Sequence, residues 1–431
     1  MGFGFAPRTQ TLVLTAVLGL GLGGFSTGAA AEPAGSPAVG GGCKNDPGVS
    51  NGEIKVGAIL PKSGPQATSF SAALDGMQAR VDKANADQET GQRKITIVDV
   101  DDVAENARNL TAAQQLVQQD GVFGIIEVSA AAQGSAKYLN TQGVPVVGWH
   151  VGVPAFGQFK NMFGWRNTQP PDPAKTYTTR NADVMKELGA TKIAAVGTNV
   201  AASATFVDQI EQAVKKTKGL KFVYKTTDLS TTDREFTGVV QRIKDSGADG
   251  LYTGMDTLQN TALNAALQQA GVQMKAVIFP GGYDDRTLAL QGMDGAVFGV
   301  EFKPFELNPP AYAEYKTYMD ALGKHSEGQV PYNGWLAADT FIRGVKAAGL
   351  ECPTRKAFIS KLRKLKGYDG NGAYIPVDFN EVFGRPFYCV YYVQVQNQQF
   401  VPQFNGEPFC ASRVIDDGKV KKLTPEVQAK G

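Results

Sequence analysis

The sequence predicts an α/β protein made of two doubly wound, Rossmann-like lobes joined by a multi-strand hinge. Short apolar runs alternate with amphipathic helical patterns, a Pro-rich stretch at residues 169–173 interrupts them, and the alternation then restarts. Strands that alternate with helices form βαβ units and therefore parallel sheets. The chain has 431 residues, which is more than a single hydrophobic core usually serves. We therefore expect two lobes, each with its own sheet.

The first half is predicted to hold four strands, each long enough for a buried position in a sheet. These are residues 53–60 (EIKVGAIL), 94–100 (KITIVDV), 122–127 (VFGIIE) and 144–148 (VPVVG). A helical pattern follows each of the first three strands. The first helix is predicted at 70–84 and the third at 129–140, and the second is predicted to begin at a cap, Asp102 or Asn106, and to end at Val117.

The second half repeats this architecture after the Pro-rich stretch. Helices are predicted at 176–188, 204–216, 236–246 and 258–270, and strands at 193–197, 221–224, 250–254 and 276–280. Two long helices, 312–322 and 332–349, and a late strand, 389–395, complete the pattern. Trp165 and Trp335 are expected to pack in the core or the hinge.

The charge balance argues against a polyelectrolyte partner. Lys and Arg number 43 and Asp and Glu number 41, which gives a formal charge of +2. Proteins that bind nucleic acid rely on an excess of Lys and Arg to neutralise phosphates. We therefore predict no nucleic-acid partner.

The first residues read as an export signal. Residues 11–25 form an apolar, Gly-rich run that is too short for a bilayer span, and Ala29, Ala30 and Ala31 fit a cleavage site of small residues. This pattern predicts a signal peptide at 1–31 and a protein of the periplasm or cell envelope.

Cys43 offers an alternative, because a lipidated cysteine at the mature N-terminus would anchor the protein to the membrane. The preceding residues 40–42 are all Gly, whereas a lipidation signal usually has an apolar residue three positions before the cysteine. Simple cleavage is therefore favoured over lipid anchoring.

Four cysteines in an exported chain favour disulfides. Cys389 and Cys410 flank a run that alternates like a β-hairpin, so we pair them, and elimination then pairs Cys43 with Cys352. The chain has two His and no C-x-x-C motif, so a zinc site lacks ligands. We predict no metal and no cofactor.

Several stretches carry a resemblance to a known family. They are EIKVGAILPKSGPQATSF, ITIVDVDDVAENARNLTAAQQLVQQDGVFGII and SAAAQGSAKYLNTQGVPVVG in the first half and FTGVVQRIKDSGADGLYTG and LNAALQQAGV in the second. In order and spacing they resemble the type I periplasmic solute-binding proteins, and within these the leucine/isoleucine/valine-binding family of ABC importers. The resemblance implies a receptor, expected to be a monomer, that closes on a small solute and delivers it to a permease with its ATPases.

The resemblance also suggests the limits of the lobes. We expect an N-terminal linker at 32–50, a first lobe at 51–170 plus 304–385, a second lobe at 171–303 plus 386–425, and a C-terminal tail at 426–431.

The family's ligand-binding positions match some residues of this chain. Ser63, Gly64 and Pro65 follow the first strand, and Gln66 to Phe70 lie where the family lines the mouth of the cleft. Ser129 matches the serine that holds the ligand carboxylate at the start of a helix, where free N–H groups assist. The alternative is that Ser129 only caps that helix.

Other positions depart from the family. Gly152 stands where the family has a Thr, and Gly281-Gly282-Tyr283 replaces the acidic residue that pairs with the ligand's ammonium group. Ala202 and Asp256 replace aromatic residues of the second lobe. An unpaired ammonium in a closed cleft costs several kcal/mol, so these changes argue against an ordinary α-amino acid. Asp256 or Asp284 could restore the missing charge.

Three further side chains are candidate contacts in the cleft. Trp149 offers a flat apolar wall with one N–H donor, which suits a ring or an aliphatic chain with a polar end. His150 could contact the ligand or satisfy a backbone carbonyl, and Tyr283 follows two glycines that let the backbone approach a ligand. Basic residues at 361, 363, 364 and 366 are expected on a solvated helix face, with contact to the permease as the second interpretation.

These observations predict a non-enzymatic receptor for a small carboxylate or an aromatic-bearing, amino-acid-like solute. One alternative is a ligand-sensing module for a membrane receptor. The other is an exported hydrolase, against which stands the lack of a Ser, His and acid arrangement in the loops after residue 31.

Overall fold

A computed structural model describes residues 46–150, 152–166 and 169–428. The predicted signal peptide and Cys43 lie outside these residues. The α-helices are α1 Ala67–Phe70, α2 Ala73–Ala86, α3 Asn106–Gln114, α4 Gln133–Thr141, α5 Ala155–Gln158, α6 Arg180–Glu187, α7 Ala201–Lys215, α8 Thr237–Ser246, α9 Thr257–Gln269, α10 Pro310–Ala321, α11 Gln329–Ala348, α12 Arg355–Arg363 and α13 Pro425–Gln428. The strands are β1 Glu53–Leu60, β2 Lys94–Asp101, β3 Gly124–Glu127, β4 Val146–Gly148, β5 Met162–Gly164, β6 Thr176–Thr178, β7 Lys192–Thr198, β8 Lys221–Leu229, β9 Gly250–Gly254, β10 Ala276–Phe279, β11 Ala296–Val300, β12 Cys389–Gln396, β13 Gln399–Pro402, β14 Phe409–Cys410, β15 Arg413–Asp416 and β16 Lys419–Lys422.

The first sheet is parallel and has the strand order β2-β1-β3-β4-β5. Leu60 pairs with Asp101, Ile59 with Glu127, and Glu127 with Gly148. These pairs bring the carboxyl ends of β1, β2, β3 and β4 to one edge of the sheet, and the loops after them carry most of the predicted ligand contacts.

The second sheet has the order β13-β12-β11-β10-β9-β7-β8. The strands from β7 to β11 run parallel, β12 is antiparallel to β11, and β13 is antiparallel to β12. Gly197 pairs with Gly254, so β7 and β9 end at the same edge. The two sheets confirm the predicted pair of doubly wound lobes.

Helix α11 packs on the first sheet, although it lies far along the chain. It contacts α2, β3 and β4. Glycines make the close approach to α2 possible: a Cβ atom on Gly76 would overlap the carbonyl oxygen of Pro331, and one on Gly334 would overlap that of Ala73. This packing supports the proposal that residues 304–385 return to the first lobe.

Among the described residues, the chain passes between the two large sheets three times, after β5, after β11 and before β12. Arg166, in the first crossing, is 1% exposed. Its guanidinium donates to the carbonyl of Glu301 at 3.0 Å and to that of Cys389 at 2.8 Å, in the other two crossings. One buried side chain therefore ties the three segments of the hinge together.

A third, small sheet with the order β16-β15-β6 joins the end of the chain to the second lobe. Next to it, Cys389 on β12 pairs with Cys410 on β14, and the two residues form a disulfide. The predicted Cys389–Cys410 bridge is confirmed, and the pairing of Cys43 with Cys352 stays a prediction.

The helix predicted at 176–188 is wrong in its first part. Residues 176–178 form β6, which pairs with β15, and α6 begins only at Arg180. Thr and Tyr favour strands, but the partner strand lies more than 200 residues later, so local periodicity did not show the pairing.

Three other expectations for helices are also corrected. The helix predicted from Ser129 begins at Gln133, with a turn before it, and α3 begins after Glu105 rather than after Asp102 or Asn106. Arg363 lies on the buried side of α12, because its guanidinium packs 4.0 Å from the ring of Phe163 and donates to backbone carbonyls.

Trp165 and Trp335 lie in the core, as predicted, with 1% and 4% of their surface exposed. Within the described residues, no helix is both long and apolar enough to span a bilayer.

Candidate ligand-binding site

The candidate site is formed by the carboxyl edges of the two large sheets. In open parallel sheets, ligands bind outside the carboxyl ends of the strands, near the starts of the helices that follow. The first lobe contributes the loops after β1, β3 and β4, and the second lobe contributes those after β7, β9 and β10.

The loop after β1 is held by Asp101 at the end of β2. The hydroxyl of Ser63 donates to Asp101 Oδ2 at 2.5 Å, and the N–H of Lys62 donates to Oδ1 at 2.8 Å. Partial burial acts in the opposite direction, but these donors lower the pKa of Asp101 to about 2. Gln66, half-buried, and Phe70, 7% exposed, follow this fixed loop.

Ser129, predicted to hold a carboxylate, has its hydroxyl turned inward. The residue is fully buried, its Oγ donates to Asp102, and it accepts the N–H of Ala131 at 3.0 Å. Among the described residues, no hydrogen-bond partner is found for the N–H groups of Ser129 and Ala130. Because Ser129 is buried and Ala130 is exposed, the N–H group of Ala130 is the donor that this loop offers to an anion.

A buried polar network supports the same loop from below. Asn109 on α3 donates to Asp102 at 2.9 Å and to Glu127 at 2.7 Å, and all three side chains are fully buried. Burial, helped by the nearby charge of Asp102, raises the pKa of Glu127 to about 8. Glu127 is therefore protonated at neutral pH, and the network carries one negative charge less than its composition suggests.

Trp149 and Phe70 form an aromatic wall in the first lobe. Their ring centroids lie 6.0 Å apart with an interplanar angle of 56°. Trp149 is half-buried, so part of its ring faces the open space beyond β4. Such a surface suits a ring or an aliphatic chain.

The two residues predicted beside Trp149 belong to the hinge. His150 is 5% exposed, its Nδ1 accepts the N–H of Gly152 at 3.2 Å, and its Nε2 lies 3.6 Å from the carboxylate of Glu301. Gly152 has φ +76°, and a Cβ atom there would lie 2.8 Å from the ring of Phe206 on α7. The Thr of the family therefore has no room at this position.

Asp256 caps α9 and offers little to a ligand's ammonium group. Its Oδ1 accepts the N–H of Gln259 at 2.9 Å, and its Oδ2 lies 3.5 Å from the guanidinium of Arg234. A carboxylate already used in a cap and an ion pair leaves little charge for a second cation.

Asp284 is also engaged. Both of its oxygens accept from Arg286, at 2.8 and 2.6 Å, and His325 lies 3.3 Å away. Tyr283 points into an aromatic cluster, is 1% exposed and donates its hydroxyl to Glu306 at 2.7 Å. The structure therefore places Tyr283 in the packing between the lobes and away from open space.

Two apolar residues of the second lobe were missed by the sequence reasoning. Val200, after β7, is 42% exposed, and Leu258, in the first turn of α9, is 55% exposed. Ser203 ties the strand ends beneath them, because its Oγ accepts from the Thr198 N–H and donates to the Gly254 carbonyl. Neither residue stands out in the sequence, because single exposed aliphatic residues are common.

Among the described residues, one group of side chains has the spacing of a metal site. Asp284, Asp285 and His325 bring potential ligand atoms within 4.8 Å of one another. Arg286 already neutralises Asp284, so the group lacks the charge that would hold a divalent cation.

The fold and this site define a two-lobed solute-binding receptor. Residues 53–399 match the family described as periplasmic binding protein, and the chain belongs to this family. A Leu/Ile/Val-binding protein homologue of Brucella melitensis is 24% identical over 311 residues, which cover 69% of this chain and 80% of the relative.

Solved structures share the fold. A branched-chain amino acid ABC transporter protein from Thermus thermophilus with bound valine has a TM-score of 0.72 and 15% identity, with 84% of this chain and 98% of the other covered. A solute-binding protein from R. palustris in complex with benzoate has a TM-score of 0.69 and 19% identity, with coverage of 84% and 97%. One fold therefore serves both an α-amino acid and an aromatic acid.

Proposed function

We propose that this protein is the exported receptor of an ABC importer and that its solute is a small carboxylate without an α-ammonium group. The apolar part of the solute, a ring or an aliphatic chain, packs on Trp149. The observation that carries this proposal is the engagement of both candidate acids: Asp256 with Arg234 and Asp284 with Arg286.

The carboxylate is held by the loop after β3. The N–H group of the exposed residue Ala130 is available there, close to the start of α4. Hydrogen bonds from neutral N–H groups to a carboxylate are stronger than bonds between neutral partners. The Ser129 hydroxyl contributes by fixing the loop through Asp102 rather than by touching the solute.

The apolar part of the solute lies between the two lobes. Phe70 and Trp149 contact it from the first lobe, and Val200 and Leu258 cover it from the second when the lobes close. Closure removes water from both surfaces, which favours binding by roughly 25 cal/mol per Å² of apolar area. The related proteins with bound valine and benzoate support a solute of this size.

The transport role follows from the family. The receptor acts as a monomer outside the cytoplasm, as a cleaved soluble protein or anchored through Cys43, and delivers its solute to a permease without chemical change. Ser129 supports this non-enzymatic role, because its hydroxyl donates to a buried carboxylate and is not positioned as a nucleophile.

A thermal-shift panel of benzoate, short aliphatic acids and α-amino acids tests the function. A true solute at 100 times its Kd stabilises the protein by about 2.7 kcal/mol. We expect most of the stabilisation by benzoate or an aliphatic acid to be lost in Trp149→Ala and all of it to be kept in Tyr318→Ala, a half-buried aromatic on α10. No stabilisation by any carboxylate, amino acids included, would contradict the proposed receptor.

A further inference from the structure

A partly open cavity lies in the second lobe, apart from the carboxyl edge of its sheet. Its volume is about 140 Å³, and its walls come from β6, α6, α7, β9 and the crossings after β5 and before β12. Arg180, Asn181, Phe206, Tyr252 and Phe387 line it. Tyr252 belongs to the cluster that packs under α6 and α7, so the cavity lies on the helix-covered face of the sheet rather than at its carboxyl edge.

Arg180 is the charged residue of this lining, and its charge has no acidic partner among the described residues. Its Nη1 donates to the Phe387 carbonyl at 2.5 Å and its Nε to the Tyr392 hydroxyl at 3.2 Å, and both acceptors are neutral. The acid one turn further on, Asp183, accepts from Thr179 at 2.6 Å and from the Ser412 N–H at 2.8 Å. The cavity therefore has a half-buried guanidinium that lacks a counter-charge.

A second guanidinium adds to the positive charge of this region. Arg166 packs 5.3 Å from the Phe387 ring, on the other side of the residue that accepts from Arg180. Burial lowers the pKa of Arg166 to about 10, against the attraction of Glu301 and with the repulsion of Arg180. The charges of the two arginines repel each other, and an anion held by Arg180 would offset part of this repulsion.

The size and the other walls define the rest of the ligand. An apolar cavity of about 150 Å³ holds a benzene molecule, so this space accepts a single ring or a chain of similar volume. Phe206, Ile210 and Phe387 supply the apolar side. Asn181 lies beside Arg180 and is held in place by the Tyr392 hydroxyl at 2.8 Å.

We propose that this cavity is a second binding site, which accepts a carboxylate no larger than one ring and holds its carboxylate group on the guanidinium of Arg180. The site is independent of the solute that binds between the lobes. Because Gln169 and Phe387 line the cavity and belong to two different interlobe crossings, an occupant contacts two segments of the hinge.

Equilibrium dialysis with labelled benzoate, up to millimolar concentration, counts the sites in the full chain. Arg180→Gln is expected to weaken binding at the cavity at least tenfold, because a charged hydrogen bond is lost, and to leave the cleft unchanged. Trp149→Ala is expected to do the reverse. Arg242→Gln, an exposed arginine on α8 of the same lobe, is the matched control and keeps all sites.

Arg180 also donates to a backbone carbonyl, so Arg180→Gln could lose binding because it misfolds. A second variant separates this effect from the loss of the charge. Ala213 on α7 lines the cavity, so Ala213→Met fills the space while Arg180 stays in place, and it should also remove the site. Benzamide, which is neutral, should bind the cavity at least tenfold more weakly than benzoate. Benzoate binding that is the same in the wild-type protein, Arg180→Gln and Ala213→Met would overturn the proposal, even if Trp149→Ala still abolishes binding in the cleft.

Discussion

Two acids at the same sheet edge show how environment decides charge at the scale of a residue. Asp101 is half-buried and accepts hydrogen bonds from the loop after β1, and its pKa is lowered to about 2. Glu127 is fully buried beside Asp102, and its pKa is raised to about 8. The sequence shows an acidic strand end in both cases, but burial, which separates them, depends on the tertiary fold.

Glu127→Gln is predicted to change the pH dependence of stability. Folded Glu127 keeps its proton up to about pH 8, whereas the unfolded chain loses it near the ordinary glutamate pKa of 4.5. The folded state thus binds more protons between these values, and the free energy of unfolding falls as pH rises through this window, by up to about 1.4 kcal/mol per pH unit. The stabilising contribution is complete below the lower value.

Urea denaturation of both proteins across this window measures the effect. The free energy of unfolding of Glu127→Gln, relative to that of the wild-type protein, should increase as pH rises. Glu105→Gln, an exposed glutamate before α3, is the control and should run parallel to the wild-type curve. A parallel curve for Glu127→Gln as well would show that Glu127 is ionised in the folded protein.

Gly152→Ala tests the close contact between the lobes at the hinge. Alanine at positive φ costs about 1 kcal/mol, and the new Cβ atom would also press on Phe206. Gly143→Ala is matched, because Gly143 has φ +62° and open space around the missing Cβ atom. We expect a larger drop in the free energy of unfolding for Gly152→Ala, and we expect Phe206→Ala to reduce that difference. Equal decreases in the free energy of unfolding for Gly152→Ala and Gly143→Ala would mean that the Phe206 side chain moves aside at little cost.

At the scale of elements, the sequence predicts a helix or strand well where the local pattern of apolar residues determines it. It predicts an element less well where pairing with a distant strand determines it. The strand at 250–254 is found at the predicted residues, since its apolar run is bounded by turn residues. The segment at 176–178 was predicted as helix, because its pairing with β15 brings together residues 236 or more positions apart. Periodicity reports burial within a segment and carries no information on such a partner.

The packing of α11 on α2 gives a prediction at this scale. Gly76→Ala should destabilise the protein by several kcal/mol, because the added Cβ atom would overlap the Pro331 carbonyl and force the helices apart. Gly238→Ala in α8 is the control, since nothing lies near its missing Cβ atom, and it should stabilise by up to about 1 kcal/mol. Calorimetric melting compares them, and similar melting temperatures for both variants would contradict this account of the interface.

At the scale of the whole molecule, the hinge depends on one buried arginine. The sequence predicted the crossings through the Pro-rich stretch and the family resemblance. It did not predict Arg166, since its acceptors are backbone carbonyls, which leave no trace in side-chain patterns. The inward turn of the Ser129 hydroxyl was missed for a different reason: Asp102, whose side chain accepts its hydrogen bond, was interpreted as a helix cap.

Arg166→Met is predicted to destabilise the fold. The change leaves the carbonyls of Glu301 and Cys389 without their donors in a buried place, at about 1–3 kcal/mol each. Arg93→Met is a suitable comparison, because Arg93 also donates to distant carbonyls, those of Leu350 and Glu351, but is only half-buried. Water replaces the lost donor at Arg93, so urea denaturation should show a smaller decrease in the free energy of unfolding for Arg93→Met than for Arg166→Met. Equal losses would argue against a special role for Arg166.

The central claim is that the cleft accepts a carboxylate and rejects an α-ammonium group. Leucine and 4-methylpentanoate test it directly by calorimetric titration, because the two differ only in that ammonium group. With Asp256 and Asp284 held by arginines, we predict that 4-methylpentanoate binds at least about tenfold more tightly than leucine, since a desolvated charge without a partner opposes binding. Tighter binding of leucine would contradict the claim and would show that one of these carboxylates leaves its arginine for the ligand.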